Sequence, residues 1–380
     1  MNASSETTNL KYRRIVAKLG TNLLTGGGDR LDPVIMAALV DQVAGLRRLG
    51  AQVLIVTSGA IAAGQEALGL RKRRKDVPFK QVLAAVGQSH LMHRYRELFG
   101  RHDVQVAQAL ITKGDLDDRE GYLNVRNTLE GLLELGVAPI INENDVVDVQ
   151  EIGGNVFGDN DNLSAVVANL VDADLLALLS DIDGRYTSDP RRDPRAKLVQ
   201  RIDRIDGRVE ALAGGAGTRR GRGGMVTKLQ AARLATGSGT DVVIANGRVP
   251  DILTRLAAGE PIGTLFAATA TKVDSRRRWM LTGLSSRGVI VVDEGAARAL
   301  CRDNRSLLPA GITAVEGEFG RGDLVDIRGD GVRLGCGLTN YGSRELDTIK
   351  GAKSSQILKL LGYRYGDEVV HRNDLVLSGG

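Results

Sequence analysis

Aromatic residues are nearly missing from this chain: Phe, Trp and Tyr make up 3% of its 380 residues. The core must therefore be built from Ala, Val, Leu and Ile. Single-stranded nucleic acid, which stacks on exposed aromatic rings, finds little to bind. Cysteine is also scarce. Cys301 and Cys336 are too few for a disulfide framework or a zinc site, and they suggest a reducing compartment. The four histidines form no ligand set. His90 and His93 fall i,i+3 on an expected helix without a Cys or a third ligand nearby, and read as surface residues. No apolar run approaches the ~18 residues that suggest a membrane span, and the polar segment 1–9 has no signal-peptide core. These absences predict a cytoplasmic protein with no membrane partner.

An excess of one charge is lacking too. The chain holds 51 Lys and Arg against 46 Asp and Glu, a formal charge of +5. A dedicated nucleic-acid binder would be expected to concentrate basic charge on one surface. The densest basic runs, residues 71–75 and 276–278, are short, and the first reads as a solvated loop. Three signatures are missing as well: the Gly-Lys-Ser/Thr ending of a Walker A loop, the His-Arg-Asp and Asp-Phe-Gly set of protein kinases, and the G-x-G-x-x-G dinucleotide fingerprint.

What is present is a rhythm of short β-branched runs and helical stretches. Strands are expected at 15–19, 52–56, 104–111, 137–141, 175–179 and 241–245, with helices between them. Asp32-Pro33 reads as an N-cap followed by proline at the first helical position, and Gly50 as the end of that helix. Alternating strands and helices predict a mainly parallel sheet covered by helices on both faces. Past about residue 267 the texture changes to short alternating runs between Gly-rich and charged turns, which predicts a small, mostly antiparallel β module.

Chemistry concentrates just past the strands. The run 137–141 is followed by Asn142-Glu143-Asn144-Asp145 and then by Gly158-Asp159-Asn160-Asp161-Asn162. Such residues fit the crevice beyond the carboxyl ends of strands in an open α/β sheet, although they also make ordinary turns. Lys18 ends a buried strand, where a lysine must find an anion or reach water. Thr57-Ser58-Gly59 at a strand-to-helix junction is either an anion site or a plain N-cap. Lys228 is expected in the first helical turn after Gly223-Gly224, where the helix dipole favours phosphate. Phosphoryl transfer between two anions needs such lysines, because like charges near 4 Å repel by ~4 kcal/mol at an effective dielectric of about 20. Spacing alone stops at a phosphate-handling α/β enzyme.

In order along the chain, Ala17-Lys18-Leu19-Gly20-Thr21-Asn22, Thr57-Ser58-Gly59-Ala60, Ile141-Asn142-Glu143-Asn144-Asp145 and Gly158-Asp159-Asn160-Asp161-Asn162 resemble motifs of the amino acid kinase family, in its glutamate-phosphorylating branch. So do Ser180-Asp181, Tyr186-Thr187-Ser188-Asp189-Pro190-Arg191 and Gly223-Gly224-Met225-Val226-Thr227-Lys228. The C-terminal part looks like a PUA domain through Arg278-Trp279, Ser306-Leu307-Leu308-Pro309-Ala310-Gly311 and His371-Arg372-Asn373-Asp374-Leu375-Val376. The resemblance implies a three-layer αβα sandwich in residues 1–267, a linker at 268–278 and a PUA-like β domain at 279–380.

It also implies ATP-dependent phosphorylation of the γ-carboxylate of L-glutamate, the first step of proline biosynthesis, with Mg2+ accompanying ATP. Carried over by position, Lys18 and Lys228 contact the transferring phosphates and Asp161 holds them. Ser58, Asp145 and Asn160 bind glutamate, with Asn142 beside them. Ser180, Asp181, Arg222, Gly223, Gly224, Met225, Val226, Thr227 and Lys228 hold the nucleotide. Feedback inhibition by proline and a homo-oligomer, dimer or tetramer, belong to the same implication. Arg222 departs from the family pattern, standing where a threonine is expected, and is no isostere of it. The competing readings are a kinase of N-acetylglutamate or aspartate, and an RNA-binding protein. Residues 272–380 hold 17 Lys and Arg against 14 Asp and Glu, which leaves RNA a minor partner. Trp279, Tyr341, Tyr363 and Tyr365 are its stacking candidates, with burial in the β core the favoured alternative.

Overall fold

The computed structural model describes residues 10–70, 76–147, 160–188, 190, 193–206, 219–272, 286–303 and 305–377, except the side chains of 117 and 219–223. The basic runs 71–75 and 276–278, the Gly158-Asp159 pair and Trp279 lie outside them. Two compact units emerge: Met1–Asp115 with Thr128–Thr271, and Leu116–Asn127 with Lys272–Gly380.

The first unit is built on eight strands: β1 (Arg14–Leu19), β2 (Gln52–Thr57), β3 (Val106–Ile111), β4 (Ala138–Glu143), β5 (Leu175–Ser180), β6 (Arg201–Ile202), β7 (Asp241–Asn246) and β8 (Thr264–Phe266). They lie in the order β3-β4-β2-β1-β5-β7-β8-β6. Neighbours from β3 to β7 pair in parallel, and β8 runs antiparallel to β7. The central strands are apolar almost throughout because parallel sheets are covered on both faces. β5, for instance, is buried at every position.

Nine helices are described up to residue 271, the end of α5 and the first half of α6 belonging to the second unit: α1 (Thr21–Leu24), α2 (Pro33–Arg48), α3 (Ala60–Ala67), α4 (Val77–Gly100), α5 (Lys113–Asp117), α6 (Arg119–Glu134), α7 (Asn160–Leu170), α8 (Arg219–Thr236) and α9 (Ile252–Ala257). As the sequence predicts, Asp32 Oδ1 caps α2 by accepting from the N–H groups of Val34 and Ile35, at 2.9 and 3.1 Å. Gly50 follows at φ +85°, a conformation that favours glycine.

Strand parity decides which side chains meet. Ile15, Ala17 and Leu19 of β1 pack in the core that holds Met36, Leu39 and Val43 of α2 with Tyr95 of α4. Successive side chains of a strand point to opposite faces. Val16 and Lys18 therefore face the other side, where α7 packs against β1 and α8. On the α2 side, α3 and α4 cross at glycines: a Cβ on Gly87 would lie 1.7 Å from the Ala60 carbonyl oxygen, and one on Gly64 1.9 Å from that of Leu83.

In the second unit, β9 (Gly288–Val292), β10 (Ile312–Glu316), β11 (Leu324–Gly329), β12 (Val332–Leu338) and β13 (Leu375–Leu377) form a sheet in the order β10-β9-β11-β12-β13. Only the β9–β11 pairing is parallel. With α10 (Glu294–Cys301), α11 (Ser343–Ile349) and α12 (Ile357–Leu361) it encloses a core of Ile290, Val325, Ile327, Tyr341, Leu346 and Ile349. Residues 116–127 complete this unit from far back in the chain. Leu123 packs with Leu324, Cys336, Leu338 and Val376, and buried Arg126 pairs with buried Asp374. The expectation that the tyrosines are buried holds for Tyr341 but fails for Tyr363 and Tyr365, which are 43% and 40% exposed. They follow Gly362, whose φ of +82° turns the chain out of α12.

Candidate active site

Two adjacent residues at the start of α7 organise the site. Parity sends Lys18 to the α7 face, and its Nζ lies 2.6 Å from Asp161 Oδ1. Lys228, on α8, brings its Nζ to 2.9 Å from Asp161 Oδ2. Thr227 Oγ1 donates to that same oxygen at 2.9 Å. All four side chains are buried. One carboxylate and two ammoniums leave a net positive charge in a shielded place, which is the condition for holding an anion. Burial alone would push the Asp161 carboxyl up, but the Lys18 and Lys228 charges outweigh it and hold the group well below the usual carboxylate range.

α7 starts at Asn160, and Asp161 lies in its first turn with its side chain turned to the lysines. One sequence expectation is corrected here: Lys228 does not sit in a first helical turn. α8 starts at Arg219 and runs through Gly223 and Gly224, so Lys228 is well inside the helix, beyond the turn where the dipole acts. The cause is cooperative propagation. Leu229, Ala231, Ala232 and Ala235 bury one face of α8, and its three glycines, Gly221, Gly223 and Gly224, at ~1 kcal/mol each do not stop it.

The second cluster hangs on Asn160. Its Nδ2 donates to Ser58 Oγ and to Asn142 Oδ1, both at 3.1 Å. Ser58 is therefore not a helix cap; Gly59, at φ +102°, takes the N-cap position of α3 without a side-chain bond. Asn142 lies near the carboxyl end of β4, and its Nδ2 donates to Gln88 Oε1 at 2.9 Å. Beneath Ser58, Thr57 Oγ1 meets the buried Tyr95 hydroxyl at 2.7 Å. Asp145 is buried two residues past β4, where its carbonyl oxygen accepts from Gln81 Nε2 at 3.2 Å.

Ser180 and Asp181 lie at the carboxyl end of β5, beside that of β1 in the sheet. Asn22 Nδ2 approaches Asp181 Oδ2 at 3.4 Å, and the Gly247 N–H donates to the Ser180 carbonyl at 2.9 Å. In the 222–228 run, only Thr227 and Lys228 are joined to Asp161 by described contacts. Gly224 is exposed, Met225 and Val226 are half-buried, and the Arg222 and Gly223 side chains lie outside the described residues. Among the described residues no group of three His, Cys, Asp or Glu side chains is placed to hold a metal ion.

Sequence reasoning missed Gln81, Gln88 and Tyr95. A glutamine or tyrosine on a long helix carries no motif. The available signal was Gly87, an isolated glycine inside a helical pattern, which marks a close approach.

The amino acid kinase family profile matches residues 13–246, and the PUA domain profile matches residues 288–361. The chain is similar to the glutamate 5-kinase of Dehalococcoides mccartyi (strain CBDB1), with 55% identity over 367 residues covering 96% of this chain and 98% of that one. It is likewise similar to the glutamate 5-kinase of Herpetosiphon aurantiacus, at 53% identity with 96% and 98% covered. For that of Deinococcus radiodurans the identity is 49%, with 96% and 99% covered. Among solved structures, the UMP kinase from Bacillus anthracis aligns with a TM-score of 0.45 at 17% identity, covering 68% of this chain and 97% of that one. With close relatives matched along nearly its whole length, the chain belongs to the amino acid kinase family, among the glutamate 5-kinases, and carries a C-terminal PUA domain.

Proposed function

We propose that this protein transfers the γ-phosphoryl group of ATP to the γ-carboxylate of L-glutamate, forming L-glutamyl 5-phosphate and ADP as the first step of proline biosynthesis in the cytoplasm. The observation that carries this reading is the pair of lysines, 210 positions apart in the chain, that share the buried Asp161 carboxylate next to the amide cluster at Asn160. A γ-carboxylate oxygen attacks the γ-phosphorus while the bond to the ADP oxygen breaks. The attacking carboxylate is already deprotonated, so the step needs cations rather than a general base. Asp161, held ionised between two ammoniums, is no base. It positions Lys18 and Lys228 so that their charge meets the spreading charge of the transferring phosphoryl group without reorganising.

Asp145 pairs with the ammonium of glutamate, while Ser58 Oγ donates to a carboxylate. Both amide protons of Asn160 are already directed at Ser58 and Asn142, so Asn160 orients Ser58 instead of donating to the substrate itself. Ser180, Asp181 and the 222–228 run receive the nucleotide at the carboxyl ends of β1 and β5. Magnesium would accompany ATP and neutralise part of its phosphate charge. The described side chains offer it no cage, and Asp161 already has both oxygens engaged. Proline as feedback inhibitor and a dimeric or tetrameric assembly complete the proposal, and both rest on family resemblance.

Coupled ADP release with glutamate, N-acetylglutamate and aspartate, with and without proline, tests the reading. Turnover with glutamate is expected. Turnover with acetylglutamate and none with glutamate would reject it.

A further inference from the structure

The amide cluster is determinate, because one end of it is a backbone group. The Glu143 N–H donates to a side-chain oxygen of Asn142 at 3.0 Å, and a backbone N–H cannot be reversed, so that atom is Oδ1. The other end of the Asn142 amide is then Nδ2, which lies 2.9 Å from Gln88. Two N–H groups do not face each other, so Gln88 presents Oε1 to it. This leaves Nε2 of Gln88, with its two protons, at the far end of the chain of amides. That nitrogen is shielded from solvent and has no hydrogen-bond partner among the described residues.

A buried donor without an acceptor is costly, and such groups in folded proteins call for a physical explanation. A ligand supplies one here. Ser58 Oγ accepts from Asn160, so its own proton is free to be donated. Asn160 has spent both amide protons. The donors the cluster has left are thus the Ser58 hydroxyl at one end and the Gln88 amide at the other, and donors select an acceptor such as a carboxylate over an ammonium.

We propose that Gln88 is a substrate-binding residue whose Nε2 donates to the α-carboxylate of the bound amino acid. This rests on the glutamate reading above: the γ-carboxylate must lie by Lys18 and Lys228 at Asp161, so the α-carboxylate is the one left for the Asn160 side. Gln88 has two roles on one amide. Its oxygen fixes which way Asn142 faces, and its nitrogen reads the substrate. The glycine before it brings α4 close enough to α3 for this, since any Cβ at Gly87 would strike the Ala60 carbonyl.

Gln88→Glu tests the assignment. It keeps an acceptor for Asn142 but turns the donor into an anionic oxygen facing the substrate carboxylate. The KM for glutamate is expected to rise about tenfold or more, with kcat and the KM for ATP within about twofold of the parent. The defect should also shrink as the assay pH is lowered, because a protonated carboxyl donates again. Gln88→Met, which removes both ends of the amide, separates binding from folding through its melting temperature. A glutamate KM unchanged in Gln88→Glu would overturn the proposal. So would equal rises for glutamate and ATP, or a loss of melting temperature in Gln88→Met with no selective effect on glutamate. A parent enzyme that releases no ADP with glutamate sinks the functional reading; an active parent with an indifferent Gln88→Glu sinks only this inference.

Discussion

Among individual residues, Asp161 governs the cation pair, and the two lysines differ from it in what their loss exposes. Lys228→Ala removes one ammonium and leaves Lys18 with its carboxylate, so the fold should survive. Because its charge matters most as the phosphoryl group moves, kcat is expected to fall about 10²–10³-fold with little change in the KM for glutamate. Steady-state kinetics checks this, and near-parental turnover would contradict the phosphate role. Asp161→Asn does the opposite and leaves two buried ammoniums without their counter-charge, costing about 3–5 kcal/mol of stability. The pH dependence follows from the depressed carboxyl. Its contribution is whole above the ordinary carboxylate value of 3.8 and drains away as pH falls below it. The gap in melting temperature between parent and Asp161→Asn should therefore be widest near neutrality and narrow in acid. A gap that stays constant would show that the carboxylate charge is not what stabilises the site.

At the level of elements, the crossing of α3 and α4 sets the reach of Gln88. Gly87→Ala forces a Cβ to within 1.7 Å of the Ala60 carbonyl oxygen, so the helices must part. Such overpacking costs about 1–3 kcal/mol, and moving α4 should raise the KM for glutamate along with lowering the melting temperature. Gly100→Ala at the other end of the same helix meets nothing within 4 Å and is the control, neutral or slightly stabilising. Elements were also where the sequence was most readable. Apolar runs such as 175–179 could only be buried strands in this rhythm, and Asp32-Pro33 and Gly50 bracketed α2 as written. The start of α8 was not readable, because Gly223 and Gly224 look like a helix boundary locally, whereas packing of the rest of α8 carries the helix through them.

Across the whole molecule, the second unit draws residues 116–127 into its core, which no composition shift could announce. Arg126 and Asp374 are 248 positions apart and both buried. Asp374→Ala leaves the guanidinium without the carboxylate that faces it, at a cost of about 3–5 kcal/mol, whereas the double change Arg126→Met with Asp374→Leu should recover most of the loss. Chemical denaturation of the three full-length variants measures this. A single change without effect would mean that the pair contributes nothing to the second unit.

Taken by itself, the amino-acid sequence determined the layered α/β architecture, the appended β module, and the identity of nearly every residue now found around Asn160 and Asp161. Those are local matters: strand and helix periods, caps, and short motifs beside strand ends. Which partners those residues chose was decided only in three dimensions. Lys18 meets Asp161 because strand parity turns it toward α7, Ser58 serves Asn160 because a glycine took its capping place, and Gln88 enters the site because two helices touch at glycines. Contacts between distant positions are made by packing, and packing leaves no periodic trace along the chain.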